Sequence, residues 1–213
     1  AFCLSTEKLL DIEIPERAQA LRVIMCELSR IASHLVWLGT HALDIGAMTV
    51  FLYCWREREV ILDLNEEISG VRMMTSYIRV GGVAKDVTRG WLDGILDFID
   101  YFPAKVDEYE RLLTKNPIWL DRTEGVGVFT REEAINWSLS GPALRASGVN
   151  WDIRKSKPYS GYENFNFDIP TQNNGDIYDR YRVRIEEMRQ SLAIIKQAMH
   201  KLPAGNYKTP DNK

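Results

Sequence analysis

Apolar residues recur along the first part of the chain at Leu21, Ile24, Leu28, Ile31, Leu35 and Leu38. The steps alternate between three and four, the seam of an amphipathic helix, and predict one over residues 16–38. Pro15 suits its entry and Gly39 its close. A second helix is predicted over 42–68, ending at Gly70. Its first half is nearly all apolar and so expected to be buried. Its second half carries Arg56, Glu57, Arg58 and Glu59, where opposite charges can pair along and across the helix. A third stripe, from Leu92 and Ile95 through Ile99, Phe102, Val106 and Tyr109 to Leu113, predicts a helix over 87–114. Pro103 lies inside it and lacks a backbone donor, so a kink or short break is expected there. The last seam, Ile177, Tyr181, Ile185, Met188, Leu192, Ile195, Met199 and Leu202, predicts a helix over 176–202. Asp176 suits its N-cap, helped by Asp179.

Between these seams the pattern loosens. Residues 78–90 hold Gly81-Gly82 and read as a loop. Asn116-Pro117 ends the third helix, and Thr130 to Glu133 is a capping box opening a short helix to about Ser138. Aromatic and polar residues alternate at Phe165 and Phe167, which predicts a strand or extended arm over 159–169. The expected fold class is mainly α: a helical bundle with an irregular or extended insert at about 116–175. A single helical domain is expected over 1–202, with a flexible polar tail over 203–213. The chain opens at Ala1 without an initiator Met and runs straight into Leu4, Leu9 and Leu10. It reads as a piece of a longer protein.

Charge narrows the classes. With 27 Lys and Arg against 30 Asp and Glu, a nucleic acid is not the main partner, since that calls for a clearly basic face. No apolar run approaches the roughly 18 residues of a membrane span. The three cysteines, Cys3, Cys26 and Cys54, form no C-x-x-C pair. They read as small apolar residues of a reducing compartment, with no metal site and no disulfide framework.

Residues 140–162 combine Gly141, Pro142 and Gly148 with the cations Arg145, Arg154 and Lys155 and the aromatics Trp151, Tyr159 and Tyr162. Special backbone geometry, donors that need anionic partners and large contact area together suggest docking against another subunit or the lining of a site. His34, His41 and Asp44 would share a helix face if the helix ran unbroken, as a proton relay or half a metal site. Satisfied core or capping residues are the plainer reading. Asp44, between Leu43 and Ile45 with no cation beside it, is costly in a buried stretch unless paired or protonated. It is either a proton-transfer carboxylate or a helix cap. Arg79 precedes a Gly pair that permits close backbone approach, or else makes a salt bridge to a helix end. Met73-Met74 reads first as core filler. Dinucleotide, P-loop, G-x-S-x-G and H-E-x-x-H motifs are absent.

Several stretches carry a specific resemblance. His-Ala-Leu-Asp-Ile-Gly-Ala-Met-Thr (41–49), Arg-Glu-Arg-Glu (56–59), Tyr-Ile-Arg-Val-Gly-Gly-Val (77–83), the run from Leu144 to Lys155, and Arg-Ile-Glu-Glu-Met-Arg-Gln-Ser-Leu (184–192) resemble the 49 kDa-type (D) subunit family of respiratory complex I, the NADH–quinone oxidoreductase. The likeness runs in order over nearly the whole chain. That family is similar to the large subunit of nickel–iron hydrogenases without its metal-binding cysteine pairs, and the resemblance implies a hydrogenase-like helical core. It implies a subunit that helps form the quinone-reduction site beside the terminal iron–sulfur cluster and couples electron transfer to proton translocation. NADH and the clusters would be bound by other chains, among them the iron–sulfur subunit, and this chain would bind no cofactor alone. It would lie peripherally on the cytoplasmic, or equivalent inner, face of an energy-transducing membrane.

By this resemblance Asp44 matches the carboxylate that partners a quinone-site His lying upstream, and Met74 and Arg79 become quinone-binding or cluster-facing. Arg145, Arg154, Lys155 and Tyr159 become partner-docking residues. Met74 stands where many members carry a His near the cluster, and Thr49-Val50 replaces the usual Thr-Pro. An energy-converting hydrogenase large subunit and a non-catalytic scaffold of the same fold are the alternatives. Flanking cysteine pairs would mark the first, and loss of the quinone-contacting Tyr and His that the family carries upstream of this region the second.

Overall fold

The computed structural model describes residues 1–210. It is mainly helical. Helix α1 (Phe2–Leu9) leads into α2 (Glu16–Ile45), α3 (Met48–Ser69), a two-residue-per-strand hairpin β1 (Ile78–Arg79) and β2 (Gly82–Val83), then α4 (Arg89–Leu113). Short helices α5 (Pro117–Thr123), α6 (Arg131–Asn136), α7 (Gly141–Ala146) and α8 (Ile153–Ser156) precede the long α9 (Ile177–His200). α2 packs against both α3 and α9, and α4 closes the bundle against α3 and α9. Leu21, Ile24, Leu28, Ile31, Leu35 and Leu38 all lie in one core cluster with Ile95, Phe102, Val106, Ile185 and Ile195. The seams of three- and four-residue steps therefore face one another, as amphipathic helices require.

Helix boundaries differ from the expectation at one instructive place. α2 does not close at Gly39 but continues to Ile45. A Cβ on Gly39 would sit 3.0 Å from Trp55 Cζ3 and 3.3 Å from Cys54 Cβ. Gly39 is therefore a close-approach residue that lets α3 lie against α2. The stop is Gly46, which adopts φ 103°, a backbone conformation open to glycine at little cost. Its N–H and that of Ala47 bond back to Leu43 and Ala42 carbonyls, and α3 begins at Met48. Pro103 likewise sits within a continuous α4. It is exposed, so its ring occupies the outer side of the helix and displaces no core contact.

The insert is a run of short helices and turns. Thr130 and Glu133 form the expected capping box. At 159–169 there is an extended arm rather than a strand, broken by a 3₁₀ turn at Tyr162–Asn164. Side chains of α9 tie it down: the N–H groups of Asn166 and Asp168 donate to Gln197 and Gln190. The expected free tail is also held in its described part. Val83 N–H donates to the Tyr207 carbonyl, Thr209 N–H donates to that of Gly81, and Gly82 pairs with Lys208. Gly82 has φ +149°, and a Cβ there would meet the Tyr207 carbonyl at 2.3 Å, so only glycine admits this pairing. The rest of that tail, 211–213, lies outside the described residues.

Candidate functional site

Two sets of cations flank α2. The first is internal. Glu27 is fully buried on α2 and accepts from Arg154 Nη1 (3.0 and 3.1 Å), the Tyr162 hydroxyl (2.5 Å) and the Ser191 hydroxyl (2.7 Å). Arg154 also binds Asp152, through Nη2 at 2.7 Å. One layer away, Glu187 of α9 accepts from Arg145 Nε (2.8 Å) and Nη2 (2.5 Å) on one oxygen and from His34 Nε2 (2.8 Å) on the other. Burial would raise the carboxyls of Glu27 and Glu187, but the facing guanidiniums and hydrogen-bond donors outweigh it and hold both below the usual carboxylate range. For His34 burial prevails over Glu187 and pushes the imidazole down, so it is a neutral ring donating from Nε2. The network joins α2, α9 and the 145–162 segment through buried charge.

This geometry redirects the docking expectation. Arg145 and Arg154 are 4% and 2% exposed, with their carboxylate partners inside this chain. Lys155 is exposed, its Nζ 4.9 Å from the Phe167 ring, and Tyr159 is half-buried at the edge of the cleft described next. Those two side chains remain on the surface side of the segment.

The second set lines an open cleft of about 700 Å³ between α2, α3 and the 72–78 segment. Arg30, Arg58 and Arg72 line it together with Cys26, Met73 and Met74, and Arg30 links the two sets by donating from Nε to Glu27 at 3.3 Å. Arg72 pairs with Glu59 and, at 2.7 Å, with Asp63. Arg58 leans on the Trp55 ring, and its Nε is buried without a hydrogen-bond partner. Burial, with the Glu27 charge adding to it, pushes the Cys26 thiol up, so it stays protonated. Met74 is 90% exposed and holds φ 55°, and Met73 is 53% exposed. They are not core filler: a large apolar pair is presented outward by a backbone conformation that costs a non-glycine residue energy. Arg79 is exposed in the hairpin and donates to the Ser76 carbonyl, while its own carbonyl accepts from Arg22. Beneath it a bidentate Arg22–Glu7 pair pins the hairpin to α1 and α2.

Because α2 is unbroken, His34, His41 and Asp44 do belong to one helix. Only His34 joins the core. His41 stacks on Trp37 (4.9 Å) and meets Trp119 edge-on (5.4 Å), and both its Nε2 and Trp119 Nε1 are buried without partners. Burial, then Arg184, lower the His41 ring, and Asp44 opposes them. Arg184 lies over Trp37 at 4.0 Å and is itself depressed to about 10 by burial. Asp44 is exposed in the last turn of α2 and caps no helix. The burial cost expected for it does not arise. Its neighbours Leu43, Met48 and Leu52 are exposed as well, at 40%, 60% and 53%. Among the described residues no group of three or more His, Cys, Asp or Glu is placed to hold a metal.

Residues 44–213 match the family described as the respiratory-chain NADH dehydrogenase 49 Kd subunit. The chain belongs to that family. A D-type NADH-quinone oxidoreductase subunit of Solibacter usitatus is 56% identical over 207 residues, 97% of this chain and 51% of its own length. Its D-type counterpart from Chloroflexus aurantiacus is 59% identical over 201 residues, 94% of this chain and 49% of its own. The chain thus spans about half the length of the curated relatives it matches. As a member of the 49 Kd family it presents an internal acid–base network that sequence reasoning missed. A signal was present. Glu27 and His34 fall on the α2 face of Ile24 and Ile31, and Glu187 lies beside the seam residue Met188. Ionisable groups on an apolar face call for buried partners.

Proposed function

We propose that this chain forms part of an NADH–quinone oxidoreductase, where it helps build the quinone-reduction site beside the terminal iron–sulfur cluster of a neighbouring subunit and couples electron transfer to proton movement. The observation that carries the reading is Asp44. It is an ionisable group at the end of α2, with no ion pair or hydrogen bond within the described residues, amid exposed Leu43, Met48 and Leu52. A carboxylate on an apolar surface is suited to exchanging a proton with a group that a partner or substrate brings to it.

The cleft supports the second half of the reading. Arg58 lines it without an ion pair or hydrogen bond among the described residues, and Met73 and Met74 offer polarisable apolar contact. Such a lining fits an anionic, sulfur-rich group carried by the iron–sulfur subunit, with electrons arriving from NADH through other chains. Met74 and Arg79 are then cluster- or quinone-facing. Lys155 and Tyr159 take the docking role, and Arg145 and Arg154 hold the segment that presents them. No helix of the described residues is long and apolar enough to cross a membrane. The subunit works peripherally, on the inner face of the membrane that carries the rest of the complex.

The test is Asp44→Asn in the assembled complex. Asn preserves shape and removes the ionisable group. Quinone reduction falls, by roughly 10²-fold for loss of a general acid–base group, while NADH oxidation by an artificial acceptor that draws electrons earlier is unchanged. Full quinone reductase activity in a normally assembled variant would overturn the proton role.

A further inference from the structure

α3 and α4 enclose a second concave surface of about 480 Å³. Its floor is Leu64, Phe98 and the backbone of Gly94, where a Cβ would meet Leu64 Cδ2 at 2.9 Å. Val60 and Tyr101 form apolar lips, 36% and 39% exposed. Asp63, Glu67 and Asp97 complete the rim, and no cation among the described residues lines it.

The charge is arranged in two stripes. Glu59, Asp63 and Glu67 are spaced by four on α3, and Asp93 and Asp97 by four on α4, with Asp100 three further on. Like charges four apart on a helix repel, so each stripe costs stability unless opposite charge is supplied. Arg72 answers Glu59 and Asp63, and Arg89 comes within 3.9 Å of Asp93. Lys85 reaches only the Glu67 main-chain carbonyl at one end of the groove. The Glu67 carboxylate is met only by the Thr88 hydroxyl, at 3.0 Å, and Asp97 has no partner among the described residues.

We propose that this groove docks a basic, amphipathic segment of another polypeptide. Its apolar face lies between the Val60 and Tyr101 lips, over the buried Leu64 and Phe98 where Gly94 lets α3 and α4 pack closely, and its Lys and Arg side chains flank it to reach Glu67 and Asp97. An apolar floor between acidic walls is the complement of a helix with a narrow apolar stripe bordered by cations. The same acidic walls disfavour an anionic lipid surface or a nucleic acid. This inference does not depend on the quinone reading, because the groove shares no lining residue with the cleft or with the Asp44 surface.

The experiment uses the full-length subunit in its assembled complex, with a photo-reactive benzoylphenylalanine at position 97 and mass-spectrometric mapping of the cross-linked peptide. The expected product joins position 97 to a segment of another polypeptide that is rich in Lys and Arg and carries apolar residues three and four apart. The double variant Glu67→Lys/Asp97→Lys should then lower retention of that polypeptide roughly tenfold at low salt, and acidic replacements in the mapped segment should restore it. Glu163→Lys, an exposed reversal elsewhere, serves as the control and leaves retention unchanged. Cross-links confined to the subunit's own chain, to a neutral or acidic segment or to lipid, or no cross-link at all, overturn the proposal. Undiminished retention in the double reversal does so too.

Discussion

The arginines flanking α2 make two different uses of one side chain. Arg145 and Arg154 are driven into the protein and matched there, donor by donor, with Glu187, Glu27 and Asp152. Arg30, Arg58 and Arg72 line an open cleft; Arg72 is met by Glu59 and Asp63 and Arg30 reaches Glu27 at 3.3 Å, while Arg58 has no ion pair among the described residues. The comparison separates charge that holds the fold from charge left for something else. A guanidinium whose donors are met inside the chain gains nothing from a partner. One without a carboxylate of its own, beside exposed methionines, keeps charge free to meet an anionic group.

The strongest break of this contrast is Arg154→Ala. It removes the guanidinium that Glu27 and Asp152 share, leaving Glu27 with Arg30 at 3.3 Å and Asp152 with Arg145 at 4.0 Å, so both buried carboxylates are short of donors, a loss of about 3 kcal/mol. Denaturant unfolding of the full-length subunit measures it. Arg154→Lys recovers only part, because one ammonium cannot span both carboxylates in the way the guanidinium does. A loss under about 1 kcal/mol for Arg154→Ala would mean that the network is not a fold determinant.

Acid tests the same network as a whole. His34 and His41 have depressed imidazoles in the folded chain. Their contribution is fully present above the unfolded His value of about 6.5, and it is lost as pH falls through the lower folded values. Glu27, Asp152 and Glu187 are depressed carboxyls, so their contribution is present above about 4 and is lost below it. Every shift has the same sign. The melting temperature should therefore begin to fall below about pH 6.5 and drop more steeply below about pH 4. Glu187→Gln should flatten the lower limb, although the variant is less stable overall. A subunit whose melting temperature rises on acidification would contradict the assignment.

How much of this was legible in the sequence differs between the regions for a physical reason. The helix seams report which face is buried, and Leu21 to Leu38 and Ile177 to Leu202 met in the core as their spacing required. The glycine signals misled because a glycine has two uses: Gly39 reads as a stop yet serves close packing against Trp55, while Gly46 makes the stop. The network was hidden because its partners are far apart in the chain. Arg154 and Glu27 are 127 residues distant, and one sequence shows that a charge sits on an apolar face without showing which other face will meet it. The cleft was half legible. Met74 was named through the family resemblance and Arg58 only as part of the charged run 56–59, whereas Arg30 carried no local signal beyond being a charged helix residue.

Arg58→Met sharpens the other side of the comparison. The side chain is half-buried and its guanidinium carbon lies 5.9 Å from the centroid of the Trp55 ring. Met keeps the apolar stem, so folding stability should change by about 1 kcal/mol or less. Under the proposed function, co-purification of an iron–sulfur subunit, or the reduction potential of its cluster, should nonetheless move. A large stability loss with an unchanged potential and intact assembly would place Arg58 with the internal set instead.

The smallest expected effect is at Met74. Its side chain is 90% exposed and its φ is 55°, so it contributes little packing to the isolated fold and occupies a left-handed backbone conformation that costs a non-glycine residue roughly 1–2 kcal/mol. Met74→Gly removes that strain, while the added freedom of glycine in the unfolded chain takes back about 0.5–1 kcal/mol. The net change should be neutral to stabilising, by no more than about 1 kcal/mol. Denaturant midpoints of the full-length subunit, paired with activity of the assembled complex, read the two sides separately. Unchanged or raised stability with impaired electron transfer to quinone would show that the strained methionine is held in place for the partner. A loss of more than about 1 kcal/mol would instead make Met74 a packing residue, and the division between inward and outward side chains would not hold at that edge of the cleft.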